Sequence, residues 1–195
     1  MGAGKSAVAA MLEQLGARVI DADREGHEAY APGSMGWRRI VSIFGEDLVD
    51  EDMQIDRRKL GQLVFGSPQA LAWLNSAVHP LIRERIKSKL VRFETERCAV
   101  AVIDAAVLVQ AGWDDLADEV WMVRAPIGVA AERVAKARGL KAWEAQGRIA
   151  AQQELVRQAE TKADVIIDNS GSLDELQATV RQLWTERNLP TGRDS

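Results

Sequence analysis

Histidine and cysteine are nearly absent from this chain, with two of the first and one of the second in 195 residues. A transition-metal centre built by the protein needs three or four such ligands, so none is expected. The single Cys98 excludes an internal disulfide framework and suits a reducing compartment. It opens the apolar stretch Cys-Ala-Val-Ala-Val-Ile and reads as an inert, packed thiol. Aromatic residues are few, at 5%, and the six tryptophans are scattered, which suits packing rather than a platform for stacked bases. Basic charge is not in excess: the formal net charge is −4, so no net field draws the chain to nucleic acid or to a membrane surface. No run reaches the ~20 apolar residues of a membrane span. The N-terminus lacks the charged-then-apolar pattern of a secretory leader, so the cytoplasm is the expected location. What is present, 47% hydrophobic and 28% charged residues, describes a soluble globular protein of one domain.

Short β-branched apolar runs predict buried strands at 17–20, 99–103, 120–123 and 163–167. Helical periodicity lies between them, over 6–15, 80–93, 127–137 and 142–159. Pro80 is expected in the first turn of its helix. Ser172-Leu-Asp-Glu has the form of a capping box and opens a last helix reaching about Arg187. Strands alternating with helices predict an α/β fold with a mainly parallel sheet. The stretch from about 23 to 90 is poor in strands and punctuated by glycine and proline, and it reads as a helical insertion. The tail from Asn188 is expected to fray.

The first residues, Met-Gly-Ala-Gly-Lys-Ser, carry the clearest chemistry. Glycines let backbone N–H groups close around phosphate oxygens, and the helix that follows offers its positive end. Lys5 would reach outer phosphates and the Ser6 hydroxyl would ligate Mg²⁺. A Gly-Lys-Ser triplet also arises by chance in a surface turn, and both readings stand at this point. The full loop, G-x-x-x-x-G-K-[ST], would put two residues and a strand ahead of Met1. The chain is therefore expected to be a shortened and weakened form of a longer enzyme. Val19-Ile-Asp-Ala-Asp23 follows, two carboxylates leaving a strand end, where ligands bind in open α/β sheets. Asp23 could accept a proton from a hydroxyl, while Asp21 reads as a helix cap or an indirect contributor. Asp104 ends another strand, either beside a metal or as a plain terminal residue. Arg133, Arg138 and Arg148 recur on the later helices, where guanidinium groups suit phosphate oxygens or form a solvated face.

Together these pieces resemble the dephospho-CoA kinase family over nearly the whole chain. Gly2 to Ser6 is similar to its phosphate loop, and the Asp-Ala-Asp segment to its strand end. "IFGEDLVDEDMQIDRRKLGQLVF" and "LNSAVHPLIRERI" resemble its middle region, and "ERVAKARGL", "RIAAQ" and "ADVIIDNSGS" its lid and closing strand. "IDAAVLVQAGW" resembles the kinase part of bifunctional CoA synthases. The resemblance implies a phosphate-loop kinase fold with a parallel core, a helical acceptor-binding region at about 23–90 and a lid at about 127–160. The implied reaction moves the γ-phosphoryl of ATP, with Mg²⁺, to the ribose 3′-hydroxyl of dephospho-CoA. Gly2, Ala3, Gly4, Lys5, Ser6 and Ala7 would then hold phosphates and Asn169 would lie by the adenine. Ser6 would hold the metal, Asp23 would be the proton acceptor, and Arg138 and Arg133 would be lid arginines. Asp21, His79, Asp104 and Gln110 would stand on the acceptor side. Gln110 replaces the family's usual Glu and Ala106 a frequent Pro, which puts acceptor contacts or the lid in question. Two other readings compete: a kinase for another small acceptor, and an inert nucleotide-binding domain.

Overall fold

The computed structural model describes residues 2–139, 141–150 and 153–190. Its first helix, α1 (Lys5–Gln14), lies between two glycines that take conformations other residues avoid: Gly4 at φ 100° and Gly16 at φ 113°. At the C-terminal end, Gly16 N–H donates to the Glu13 carbonyl and Ala17 N–H to the Leu12 carbonyl, each at 3.0 Å. This is the paired closure that a left-handed glycine permits. It consumes Ala17, so β1 (Arg18–Asp21) starts one residue later than its apolar run suggests, with Arg18 N–H on the Val100 carbonyl at 2.9 Å.

The chain continues through α2 (Ala22–Ala29), α3 (Met35–Phe44), α4 (Arg57–Phe65), α5 (Pro68–Thr95), β2 (Ala101–Asp104) and β3 (Trp121–Arg124). Then come α6 (Ile127–Arg138), α7 (Ala142–Ala150), α8 (Gln153–Glu160), β4 (Val165–Asp168) and α9 (Leu173–Glu186). β1 pairs with β2 and β3 with β4. The second pair is parallel, with Trp121 opposite Val165 and Arg124 opposite Asp168. Each of these strands runs one residue past its apolar run and closes on a charged side chain, Asp21, Asp104, Arg124 or Asp168. Backbone pairing, not side-chain polarity, sets those ends; Asn169 N–H still donates to the Arg124 carbonyl at 2.7 Å. Among the described residues no helix is long and apolar enough to cross a membrane.

Two compact units divide the chain: Met1–Val19 with Phe93–Ser195, and Ile20–Arg92. In the first, Val8, Met11 and Leu12 of α1 meet Ile167 of β4 and Leu176, Val180 and Trp184 of α9. The Ser172 and Glu175 side chains form the capping box that starts α9. Trp184 is buried with its indole N–H unpartnered among the described residues. A smaller cluster joins Ala130, Ala131 and Val134 of α6 to Ala145 and Ile149 of α7.

The second unit is helical, and it corrects one expectation. The helix expected to begin at Pro80 begins at Pro68, behind a Ser67 side chain that accepts from Ala70 N–H at 3.2 Å. Pro80 sits inside it, exposed. An interior proline costs about 3 kcal/mol through its missing N–H and ring clash. Ala77 and Val78 before it, and Ile82 and Ile86 after it, are all buried, so one apolar face carries α5 through.

Glu25, on the buried face of α2, is only 1% exposed. Its carboxylate takes Arg85 Nε at 3.0 Å and pairs with Lys89 Nζ, one turn further along α5. The Arg85 and Lys89 side chains are partly exposed, whereas the Glu25 side chain is not. The costs of breaking the cluster should therefore be unequal. Arg85→Met with Lys89→Met strands a buried charge and is expected to cost about 3–5 kcal/mol. Glu25→Leu leaves two cations able to hydrate and should cost less. Urea unfolding midpoints of the two variants check this; equal losses would mean that desolvation of Glu25 is not what the cations offset.

Candidate active site

The loop that opens the first unit is shaped by what presses on it. Gly2, at φ 73°, has no room for a side chain: a Cβ there would lie 2.5 Å from the Ala130 carbonyl oxygen of α6. A Cβ on Gly4 would overlap the carboxamide nitrogen of Asn169. The glycines thus seat the loop against α6 and the turn after β4, and Gly4 leads into the N-terminus of α1. The first-turn N–H groups of a helix have no intrahelical acceptor, which makes this end a place for an anion. Lys5 Nζ pairs with Asp104 Oδ1 at the end of β2, and the Asp104 side chain is 11% exposed. Ser6 is exposed with no hydrogen-bond partner among the described residues, while Ala7 packs against the core.

Asn169, 5% exposed, is the hub of this half. Its Nδ2 donates to the Ala3 carbonyl at 2.8 Å. The Arg133 guanidinium, from α6, donates through NH1 to the Asn169 carbonyl at 3.1 Å and through NH2 to Asn169 Oδ1 at 3.4 Å. Its NH2 also reaches the Gly171 carbonyl at 3.4 Å. So the structure brings together Lys5 with Asp104, and Asn169 with Arg133 and the loop. Gln110 is tied elsewhere, its Nε2 donating to the Leu155 carbonyl of α8 at 2.8 Å. The side chains of Arg138 and Arg148 lie outside the described residues.

The second unit holds the remaining residues. Asp21 caps α2, its Oδ1 accepting from Arg24 N–H at 3.0 Å. Asp23 lies in the first turn of α2, exposed, its side chain with no hydrogen bond or ion pair among the described residues. One turn on, on the same exposed face, His27 Nδ1 lies 3.3 Å from Arg57 NH1, and the His27 ring meets Tyr30 edge-on. Burial raises the Tyr30 phenol and the Arg57 charge opposes that. No local spacing in the sequence ties Arg57 to this face, because it lies 30 residues from His27. His79 is partly buried on α5, and that burial pushes its imidazole below the ordinary histidine value.

Comparison with known proteins gives one consistent answer. The model of the family described as dephospho-CoA kinase matches residues 1–175. A dephospho-CoA kinase of Geobacter sulfurreducens is 39% identical over 184 residues, covering 94% of this chain and 93% of that protein. One from Symbiobacterium thermophilum is 40% identical over 181 residues, covering 93% of this chain and 75% of that protein. Among solved structures, TT1252 from Thermus thermophilus superposes with a TM-score of 0.76 at 29% identity, over 95% of this chain and 93% of that one. A dephospho-CoA kinase from Campylobacter jejuni gives a TM-score of 0.69 at 24% identity, over 96% and 92%, and shares the fold. That fold is α/β with parallel strands, the phosphate-loop kinase type. On its sequence, from the loop at Gly2 to the capping box at Ser172, this chain belongs to the dephospho-CoA kinase family.

Proposed function

We propose that this protein transfers the γ-phosphoryl of ATP to the ribose 3′-hydroxyl of dephospho-CoA, yielding CoA and ADP. The observation that carries the reading is the glycine loop running into the N-terminus of α1, with Lys5 on Asp104, in a chain of this family. Gly2 to Ala7 hold the phosphates of ATP, Lys5 bears on the outer ones, and Asn169 lies on the adenine side. Asp23 accepts the proton of the 3′-hydroxyl as its oxygen attacks the γ-phosphorus and the bond to ADP breaks. Its exposure and lack of partners keep that carboxylate available. Arg138, with Arg133, belongs to a lid of residues 127–160 that opposes the charge on the transferred group. The helical unit Ile20–Arg92 takes the acceptor, with Asp21 and His79 on it; Asp104 and Gln110 are assigned to acceptor binding as well. The cytoplasm suits a chain with a single thiol.

Magnesium fits the donors present. Ser6 offers a hydroxyl and Asp104 a carboxylate, the hard oxygen ligands that Mg²⁺ takes one or two at a time beside phosphate oxygens. Among the described residues no cluster of three or more His, Cys, Asp and Glu would hold a metal alone. Bound at Ser6, the ion would supply charge neutralisation on the phosphates.

A coupled assay of ADP release tests the reading, with dephospho-CoA, nucleosides and shikimate as acceptors and mass spectrometry of the product. Release with dephospho-CoA alone, matched by CoA formed, is the expected result. Equal release with and without acceptor would overturn it.

A further inference from the structure

Asn169 and Arg133 have a shared task that neither adenine contact nor lid charge describes. The Asn169 carboxamide is buried and can sit in two orientations related by a flip. As it stands, Nδ2 donates to the Ala3 carbonyl and Oδ1 accepts from Arg133. A flip would set two donors face to face at Arg133 and two acceptors face to face at Ala3. Arg133 therefore fixes which end of the amide the loop meets. Its own place is fixed by the Asn169 and Gly171 carbonyls, and Asn169 N–H is held on the Arg124 carbonyl at the end of β3.

The consequence falls on the loop backbone. The Ala3–Gly4 peptide is planar and trans, so its C=O and N–H point opposite ways. Drawing the Ala3 oxygen toward Asn169 turns the Gly4 N–H to the other side of the loop. Gly4 can hold this pose because its φ of 100° needs no Cβ, and a Cβ would collide with the same amide.

We infer that Arg133 and Asn169 are positioning residues that set the phosphate loop through the Ala3 carbonyl, so that the Gly4 N–H faces the nucleotide's phosphates. This rests on the loop being the nucleotide site, as proposed above. Arg133 then contributes to donor binding before any phosphoryl group moves, in addition to its place in the lid.

The test is a double-mutant cycle with ADP and adenosine as ligands, measured by calorimetry and competition, beside thermal melts. Arg133→Met and Asn169→Leu should each weaken ADP about tenfold or more. The double variant should be no worse than either single one, since the pair acts as a unit. Adenosine, which carries no phosphate, should lose much less. Arg133→Lys, which keeps charge but not the fork, should fail to restore ADP affinity; it serves if Arg133→Met melts early. Equal losses for ADP and adenosine would return Asn169 to an adenine contact and overturn the relay. So would additive losses, or an Arg133→Met protein that binds ADP normally. Failure of the unsubstituted protein to bind ADP would instead overturn the reading of the loop as a nucleotide site.

Discussion

Asp23→Asn is expected to cut turnover by about 10²–10⁴-fold, the contribution of a positioned general base, while leaving the protein folded. The change swaps one oxygen for an amide nitrogen and removes the proton acceptor. Folding should hardly notice it, because Asp23 is exposed and unpartnered among the described residues, whereas the buried face of α2 is carried by Ala22, Glu25, Gly26 and Ala29. Substitutions at such surface positions usually shift stability by about 0.5 kcal/mol or less. The Kd for ATP should not move either, and the melting temperature should match the unsubstituted protein. Steady-state kinetics with both substrates decides it: a loss below about tenfold at unchanged ATP affinity would assign the proton transfer to another group.

The second large effect is on Lys5. Lys5→Ala should lower kcat/KM for ATP by about 10²–10³-fold, the scale of losing one preorganised charge donor, with little change in dephospho-CoA binding. Lys5 opens α1 at the loop, and its ammonium pairs with the Asp104 carboxylate. The variant also leaves the Asp104 carboxylate without its partner, and that has a separate cost. Thermal melts of Asp104→Asn in the same background isolate that folding cost, since the change removes the stranded charge; binding is compared in the Lys5→Ala protein alone. If calorimetry shows equal losses for ATP and dephospho-CoA, with the double variant no better folded, the assignment of Lys5 to the donor fails.

What was legible in the sequence is what depends on near neighbours. The apolar runs at Ile20, Ile103, Val123 and Ile167 marked the strands, and Ser172 with Glu175 marked the start of α9. Strand starts were blurred where a helix closure consumed a residue, as at Ala17. The start of α5 is not legible because proline locally favours the opening of a helix, while buried neighbours on both sides hold Pro80 inside one. The motif set placed the family correctly, because many short segments in order are far more specific than one loop. The wiring of the site was not legible. Asn169 meets Ala3 from 166 residues away and Arg133 meets Asn169 from 36, distances at which no periodicity carries information. Glu25 is the sharper case: a charged residue buried on α2, whose reason lies 60 and 64 residues along in Arg85 and Lys89.

The placement of the tryptophans carries a last consequence, for how unfolding can be watched. Trp113 and Trp184, both buried, belong to the first unit, and the Trp184 indole sits in hydrocarbon without a hydrogen-bond partner among the described residues. Trp37 and Trp73 belong to the second unit and are partly or well exposed. The shortest-wavelength emission therefore originates in Trp113 and Trp184 of the first unit, and loss of that component under denaturant reports water reaching that core. Circular dichroism at helical wavelengths sums over both units. Recorded together, the two signals give the unit that carries the phosphate loop its own optical trace, with no dye attached.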